Sequence, residues 1–160
     1  MSKHPRFPNI YSDLENSVTN SIESGDNSVS LMLVNINKFN SINELFGRDF
    51  ADKVLNLLYM RIAEHSGDFD FFHIFSDNFG VICNSEEKSK AMAEQILTDF
   101  ESECIIDRTT FYLSISIGIA TIKEDDYARD LGRILVMAEA ALKSSKSSLY
   151  RRYCVFRDQD

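Results

Sequence analysis

Apolar positions recur along this chain at two different periods, and each period predicts an element. Leu14, Val18 and Ile22 fall at i, i+4 and i+8, which predicts a helix from Tyr11 to Glu23 with Ser12 as its N-cap. Gly25-Asp26-Asn27 breaks it. Val29 to Ile36 reads VSLMLVNI, an apolar run of strand length bounded by turn residues, as expected of a central strand buried on both faces. NKFNSINELFG predicts a short helix closed by Gly47. Phe50, Val54, Leu57, Leu58 and Ile62 form the stripe of a longer helix from Asp49 to Glu64.

The second half continues in the same way. Phe69 to Phe75 and Phe79 to Cys83 are short apolar runs on either side of Ser76-Asp77-Asn78, a three-residue turn in a predicted hairpin. Ser85 with Lys88 opens a helix whose inner face is Ala93, Ile96, Leu97 and Phe100. From Thr109 to Ile122 apolar residues alternate with Tyr112, Ser114, Ser116, Gly118 and Ala120, the period of one long half-buried strand. Leu131, Ile134, Leu135, Ala138 and Leu142 mark a last helix from Tyr127 to Lys146, and Arg152 to Phe156 a last short strand. The order α-β-α-α-β-β-α-β-α-β predicts an α/β (α+β) fold, with a five-stranded mixed central sheet flanked by helices. Neither a repeat nor a linker divides residues 1–160, so one domain is expected.

Charge narrows the function classes. The chain carries 17 Lys and Arg against 25 Asp and Glu, a formal charge of −8. Nucleic-acid polymers and anionic lipid both require a basic face, so neither is an expected partner. Cys83, Cys104 and Cys154 form no CxxC pair and join no histidine cluster, so they read as reduced thiols rather than zinc ligands. His4, His65 and His73 stand apart from one another. Met1 to Ile10 has no apolar signal core, and Phe111 to Ile122 falls well short of the ~20 residues of a membrane helix. A cytoplasmic location is expected, either free or as the cytoplasmic part of a larger membrane-bound protein. No GxxxxGK[ST], GxGxxG or HExxH motif occurs. The string Lys143-Ser144-Ser145-Lys146-Ser147-Ser148 lacks the glycines of a phosphate loop and reads as a solvated helix end.

A distributed pattern carries more. LVNINKFNSINELFGRDFAD runs from Leu33 to Asp52, and Phe75-Ser76-Asp77-Asn78-Phe79 sits between two strands. SISIGIA follows at Ser114 to Ala120 and AEAALKSSK at Ala138 to Lys146. This set resembles the GGDEF family of diguanylate cyclase domains, whose strings are DxDxFKxINDxxGHxxGD, GG[DE]EF, SIG and ADxALYxAK. Phe7-Pro8-Asn9 resembles the LPN at which such domains begin. The resemblance implies a nucleotide-cyclase-like fold and a GGDEF-like domain from a larger multidomain signalling protein. It also implies the family's activity, joining two GTP molecules into cyclic di-GMP across a dimer of domains.

Matched position by position, the chain departs from that pattern where the chemistry is done. Hard divalent cations need carboxylate oxygens. The two aspartates of the first motif are matched by Asn35 and Asn37, and the acidic pair of the signature by Asp77 and Asn78. The motif lysine is matched by Asn40, with Lys38 two positions away, and the signature glycines by Phe75 and Ser76. The span matching the family's inhibitory RxxD, Ser66 to Phe69, has no arginine, and His73 stands where many members carry one. Three matches are kept. Asn43 and Asp52 correspond to the residues that read guanine, and Lys146 to a lysine that assists the triphosphate. A carboxylate accepts from guanine N1–H and N2–H₂ together, and an amide complements the remaining edge. Each also has a plain reading: Asn43 bonding the turn at Gly47, Asp52 in a helix's first turn, Lys146 at a helix C-terminus.

The expectation is a catalytically inactive regulatory domain of cyclic di-GMP signalling. It keeps guanine-nucleotide (GTP) binding and modulates a module such as an EAL phosphodiesterase. No cofactor is expected, with Mg²⁺ present only if nucleotide binds, and no metal ligand set is assigned. One alternative is a ligand-free interaction or self-association module, suggested by Phe75 and the run Phe69-Asp70-Phe71-Phe72. Another is a weak cyclase in which the remnant Asp77 holds one metal.

Overall fold

A computed structural model describes residues 10–75, 77–127, 131–147 and 153–157. Phe7-Pro8-Asn9 and Ser76 lie outside the described residues, as do the side chains of Leu14, Phe75 and Leu131. The chain runs α1 (Ile10–Glu23), β1 (Ser28–Ile36), α2 (Phe39–Phe46), α3 (Arg48–Ser66), β2 (Asp70–Phe75) and β3 (Asn78–Cys83). It continues with α4 (Glu86–Asp99), β4 (Cys104–Ile106), β5 (Thr109–Phe111), β6 (Ile115–Lys123), α5 (Ile134–Lys146) and β7 (Cys154–Val155). Two short 3₁₀ turns, Glu124–Asp126 and Leu131–Arg133, precede α5.

The main sheet has five strands in the order β2-β3-β1-β6-β7. β1 is central and antiparallel to both β3 and β6, whereas β7 runs parallel to β6. Apolar side chains of β1 alternate between two cores. Met32, Val34 and Ile36 pack with Val54, Leu58 and Ile62 of α3 and with Ala93 and Ile96 of α4. Val29, Leu31 and Leu33 pack on the other face with Val18, Ala138 and Leu142. Burial on both faces is why β1 reads as a continuous apolar run rather than an alternating one. Ser85 caps α4 by accepting from the Lys88 amide, as its spacing predicts. All three cysteines are buried free thiols.

Several boundaries differ from expectation for identifiable reasons. Ser12 lies within α1 rather than capping it. The predicted strand Thr109–Ile122 is two strands. Thr109–Phe111 pairs with β4 in a separate hairpin, turned by Asp107 and Arg108 at φ of 51° and 68°, and only Ile115–Lys123 enters the main sheet. β6 is also not half-buried: Ile115 to Ala120 is buried throughout, because α5 covers the face carrying the small residues. Gly118 permits that approach, since a Cβ there would lie 2.2 Å from the Leu142 amide nitrogen. Tyr127 is helical, residues 128–130 lie outside the described residues, and the helix that ends at Lys146 begins at Ile134 after a 3₁₀ turn that contains Gly132. The aromatic run near Phe69 belongs to the core. Phe69 and Phe71 pack against one apolar cluster and Phe72 against the other, and the Phe71 ring lies 4.8 Å from Tyr59.

Candidate functional site

The site forms where β1 ends beside the β2–β3 turn. Asn78 belongs to β3, paired with both Phe75 and Asn35, so the turn is one residue shorter than the predicted Ser76-Asp77-Asn78. That register puts Asn35, Asp77 and Asn78 together. Asn35 is buried, with only 4% of its surface exposed. Its Nδ2 donates to Asp77 Oδ2 at 2.9 Å and to Asn78 Oδ1 at 3.0 Å. The backbone follows the same path, with the Ile36 amide donating to the Asp77 carbonyl at 3.2 Å. Two acceptor side chains are thus gathered around one neutral N–H₂ group. Asn35 Oδ1, by contrast, is sealed from solvent and accepts no hydrogen bond among the described residues.

A second small network adjoins the first. Asn37 Nδ2 donates to Ser114 Oγ at 2.8 Å, and Ser116 Oγ donates to Asn37 Oδ1 at 2.9 Å. The Asn37 amide donates to the Ser114 carbonyl at 2.9 Å, holding the strand exit against the start of β6. The sequence reading did not single out these two serines, although both lie in the SISIGIA string. Lys38 then turns the chain into α2 in the left-handed region, at φ 56° and ψ 38°. Its side chain is exposed.

Asn43 lies on α2 and Asp52 on α3, two packed helices joined at Gly47, whose φ is 89°. Both side chains are exposed and neither is engaged in a hydrogen bond among the described residues. The plain readings of both weaken accordingly. The bond around Gly47 is made by the Asn43 carbonyl, accepting from the Gly47 amide at 2.9 Å, and not by its side chain. Asp52 is the fifth residue of α3, past the first turn, where the acidic residue is Asp49. Lys146 ends α5 and is exposed, and Asn40 is exposed in the first turn of α2.

The neighbouring ring is structural. Phe79 is fully buried, and His73 stacks on it at 4.7 Å between ring centroids. Where the resemblance places an inhibitory site, Ser66 is buried and donates to the Ala63 carbonyl. A nearby groove is lined by His65, Glu94, Gln95, Thr98 and Asp99, with His65 Nε2 2.6 Å from Asp99 Oδ2. Its two carboxylates suit a phosphate poorly. Among the described residues there is no group of three or more His, Cys, Asp or Glu able to hold a metal ion, and no helix long and apolar enough to cross a membrane.

Comparison with known proteins gives a consistent answer. Residues 8–151 match the family described as diguanylate cyclase, GGDEF domain. The cyclic di-GMP phosphodiesterase PdeR of Escherichia coli is 27% identical over 149 residues, which is 89% of this chain and 22% of PdeR. The chain therefore spans about a fifth of that relative's length. The GGDEF domain of PA1120 (YfiN or TpbB) from Pseudomonas aeruginosa superposes with a TM-score of 0.81 at 19% identity, covering 99% of this chain and 100% of that one. The active GGEEF domain of a diguanylate cyclase from Vibrio cholerae gives 0.79 at 21% identity, with 93% and 95% covered. These likenesses establish the fold.

Proposed function

The chain belongs to the GGDEF family of diguanylate cyclase domains, and on that premise we propose that it is a catalytically silent regulatory domain of cyclic di-GMP signalling that still reads guanine nucleotides. The observation that carries the reading is the Asn35 amide donating to both Asp77 and Asn78. In a metal site, carboxylate oxygens converge on a cation. Here an N–H₂ group stands at the point of convergence, and Asp77 is the sole charged member. The residues present do not fit a divalent ion, and no cyclisation step is assigned to them.

The exposed, uncommitted side chains of Asn43 and Asp52 support guanine reading. The similar PdeR is named a cyclic di-GMP phosphodiesterase, which favours a phosphodiesterase module, such as an EAL domain, as the partner that receives the signal. Of the side chains that suggested a ligand-free interaction module, Phe69, Phe71 and Phe72 pack against the two cores, and that of Phe75 lies outside the described residues.

Two measurements test the proposal. Incubation of the purified chain with GTP and Mg²⁺ should yield no cyclic di-GMP, and steady product would overturn catalytic silence. Calorimetric titration with guanine and adenine nucleotides should give heat for the guanine series alone. No heat from any guanine nucleotide at millimolar concentration would remove the nucleotide-reading role.

A further inference from the structure

The last strand of the main sheet is held by little backbone. β7 is two residues long, with Cys154 beside Gly118 and Val155 beside Ile119. One further bond follows, the Phe156 amide donating to the Ile119 carbonyl at 2.7 Å. Side chains of residues 153–157 divide between the two faces of the sheet. Tyr153 and Val155 pack against the core under α3 and α4, and Phe156 against the core under α5. Arg157, two positions beyond Val155, falls on the α4 side. There its guanidinium forks onto Glu86, with Nη1 donating to Oε1 at 3.4 Å and Nη2 to Oε2 at 3.3 Å. Nη1 also donates to the Phe156 carbonyl at 3.1 Å, closing the fork back on its own strand.

The two ends of this fork are unequal. Glu86 stands in the first turn of α4, where the helix dipole also favours a carboxylate. Its side chain is 25% exposed, that of Arg157 65%. The start of α4 is fastened to the sheet from within. Ser89 Oγ and Thr121 Oγ1 both donate to Ser30 Oγ, at 2.9 and 3.0 Å, and Ser28 Oγ donates to the Asn84 carbonyl at 3.0 Å. Glu86 is therefore a fixed post, carried by a helix tied to β1 and β6, and Arg157 is the movable partner. On the opposite side the segment is undercut. A groove of about 580 Å³ separates residues 154–157 from Ala140, Ala141 and Ser144 of α5.

β6 does not depend on this segment. Its other edge pairs with β1 along its whole length, and α5 lies on it at Gly118. Release of residues 153–157 is therefore a local opening that leaves the rest of the fold in place. We propose that the Glu86–Arg157 pair is a salt-sensitive latch on a detachable edge strand. Closed, it holds residues 153–157 on β6. Open, it lets them leave as a unit, widening the α5 groove and baring the backbone groups of the β6 edge.

The test is amide hydrogen exchange followed by NMR on the 160-residue chain, at low salt and in 1 M salt. The Phe156 amide should exchange faster than the Val34 amide of β1. At low salt Arg157→Gln and Glu86→Gln should each speed Phe156 exchange about three- to fivefold and leave Val34 unmoved. The double variant should be no faster at Phe156 than the faster single one, because both remove the same pair. In 1 M salt the native chain should approach the rate of the variants. Phe156 exchange indifferent to both substitutions would overturn the latch. So would single effects that multiply in the double variant, or Val34 accelerating in step with Phe156.

Discussion

Asn35→Asp is the sharpest perturbation of the amide cluster. It restores the acid that the family carries at this position, and in this chain it should destabilise the fold. The variant loses two donated bonds, 2.9 Å to Asp77 Oδ2 and 3.0 Å to Asn78 Oδ1. It also places a second carboxylate against the first in a residue only 4% exposed. Two like charges at about 4 Å repel by about 4 kcal/mol at an effective dielectric of about 20. Part of that is relieved when the pair retains a proton, so a net loss of about 3 kcal/mol at pH 7 is expected. For a domain of this size that lowers Tm by roughly 6–12 °C. The sign of the pH dependence follows. The pair's folded-state pKa is raised above the unfolded value, so the folded variant binds more protons than the unfolded chain. The deficit is small at acid pH and grows as pH rises through the raised pKa. Millimolar Mg²⁺ or Ca²⁺ should recover much of the loss in the variant and leave the native chain unmoved. Melts followed by circular dichroism at two pH values, in EDTA and in Mg²⁺, measure all of this. An unchanged variant melt in EDTA at pH 7, or an equal Mg²⁺ shift in the native protein, would refute the amide-lock account.

Gly118→Ala forces a Cβ to within 2.2 Å of the Leu142 amide nitrogen and 2.6 Å of the Ala138 carbonyl, both backbone, so α5 must move. A loss of about 3 kcal/mol or more is expected in urea unfolding. Phe79→Ala removes a fully buried ring from the core and should cost about 3–5 kcal/mol by the same assay. Lys53→Ala breaks a 2.7 Å pair with Asp107 whose partners are both more than half exposed, and should cost under about 1 kcal/mol. Burial pushes the Cys83 thiol up, and burial together with Glu124 and Asp26 pushes the Tyr127 hydroxyl up. Both groups are held neutral in the fold, so their contribution is full below the unfolded pKa and fades as pH rises through the folded one. Burial pushes the Cys104 thiol up as well, so alkaline melts should show stability declining above the ordinary thiol range, and a decline absent from a Cys83→Ala, Cys104→Ala, Tyr127→Phe triple variant would confirm the source.

The fold was legible where one periodicity had one cause. The α3 stripe Phe50, Val54, Leu58 and Ile62 is buried as its spacing requires, and β1 is central as its unbroken run implies. Misreadings arose where alternation had two causes. In Thr109–Ile122, Phe111, Leu113, Ile115 and Ile117 alternate correctly and Ser114 is exposed, but the small residues from Ser116 onward are not solvent-facing. Ser116, Gly118 and Ala120 are small because α5 lies on them. The break before Ile115 is equally silent in the pattern, because its cause is a long-range choice. Thr109–Phe111 pairs with Cys104–Ile106, three residues too short to announce themselves as a strand.

The site shows a different limit, because its residues were read one at a time. Taken singly, Asn35, Asn37 and Asn78 are each a lost charge. Assembled, they form two closed hydrogen-bond sets, one around Asn35 Nδ2 and one joining Asn37 to Ser114 and Ser116. The amides are coupled: Asn35 supplies the donor that Asp77 and Asn78 need, and either acceptor loses its partner if Asn35 is replaced by an acid. Restoring one family acid is therefore worse than restoring none, and the cost of Asn35→Asp should not add to that of Asn78→Glu. A double variant tests the coupling. In EDTA it should be less stable than the two single losses sum to, since three carboxylates then share one buried site. In Mg²⁺ it should recover more than either single variant, because three convergent acids begin to resemble a cation site. Simple additivity under both conditions would mean that the amides act independently and that the lock is only a coincidence of packing.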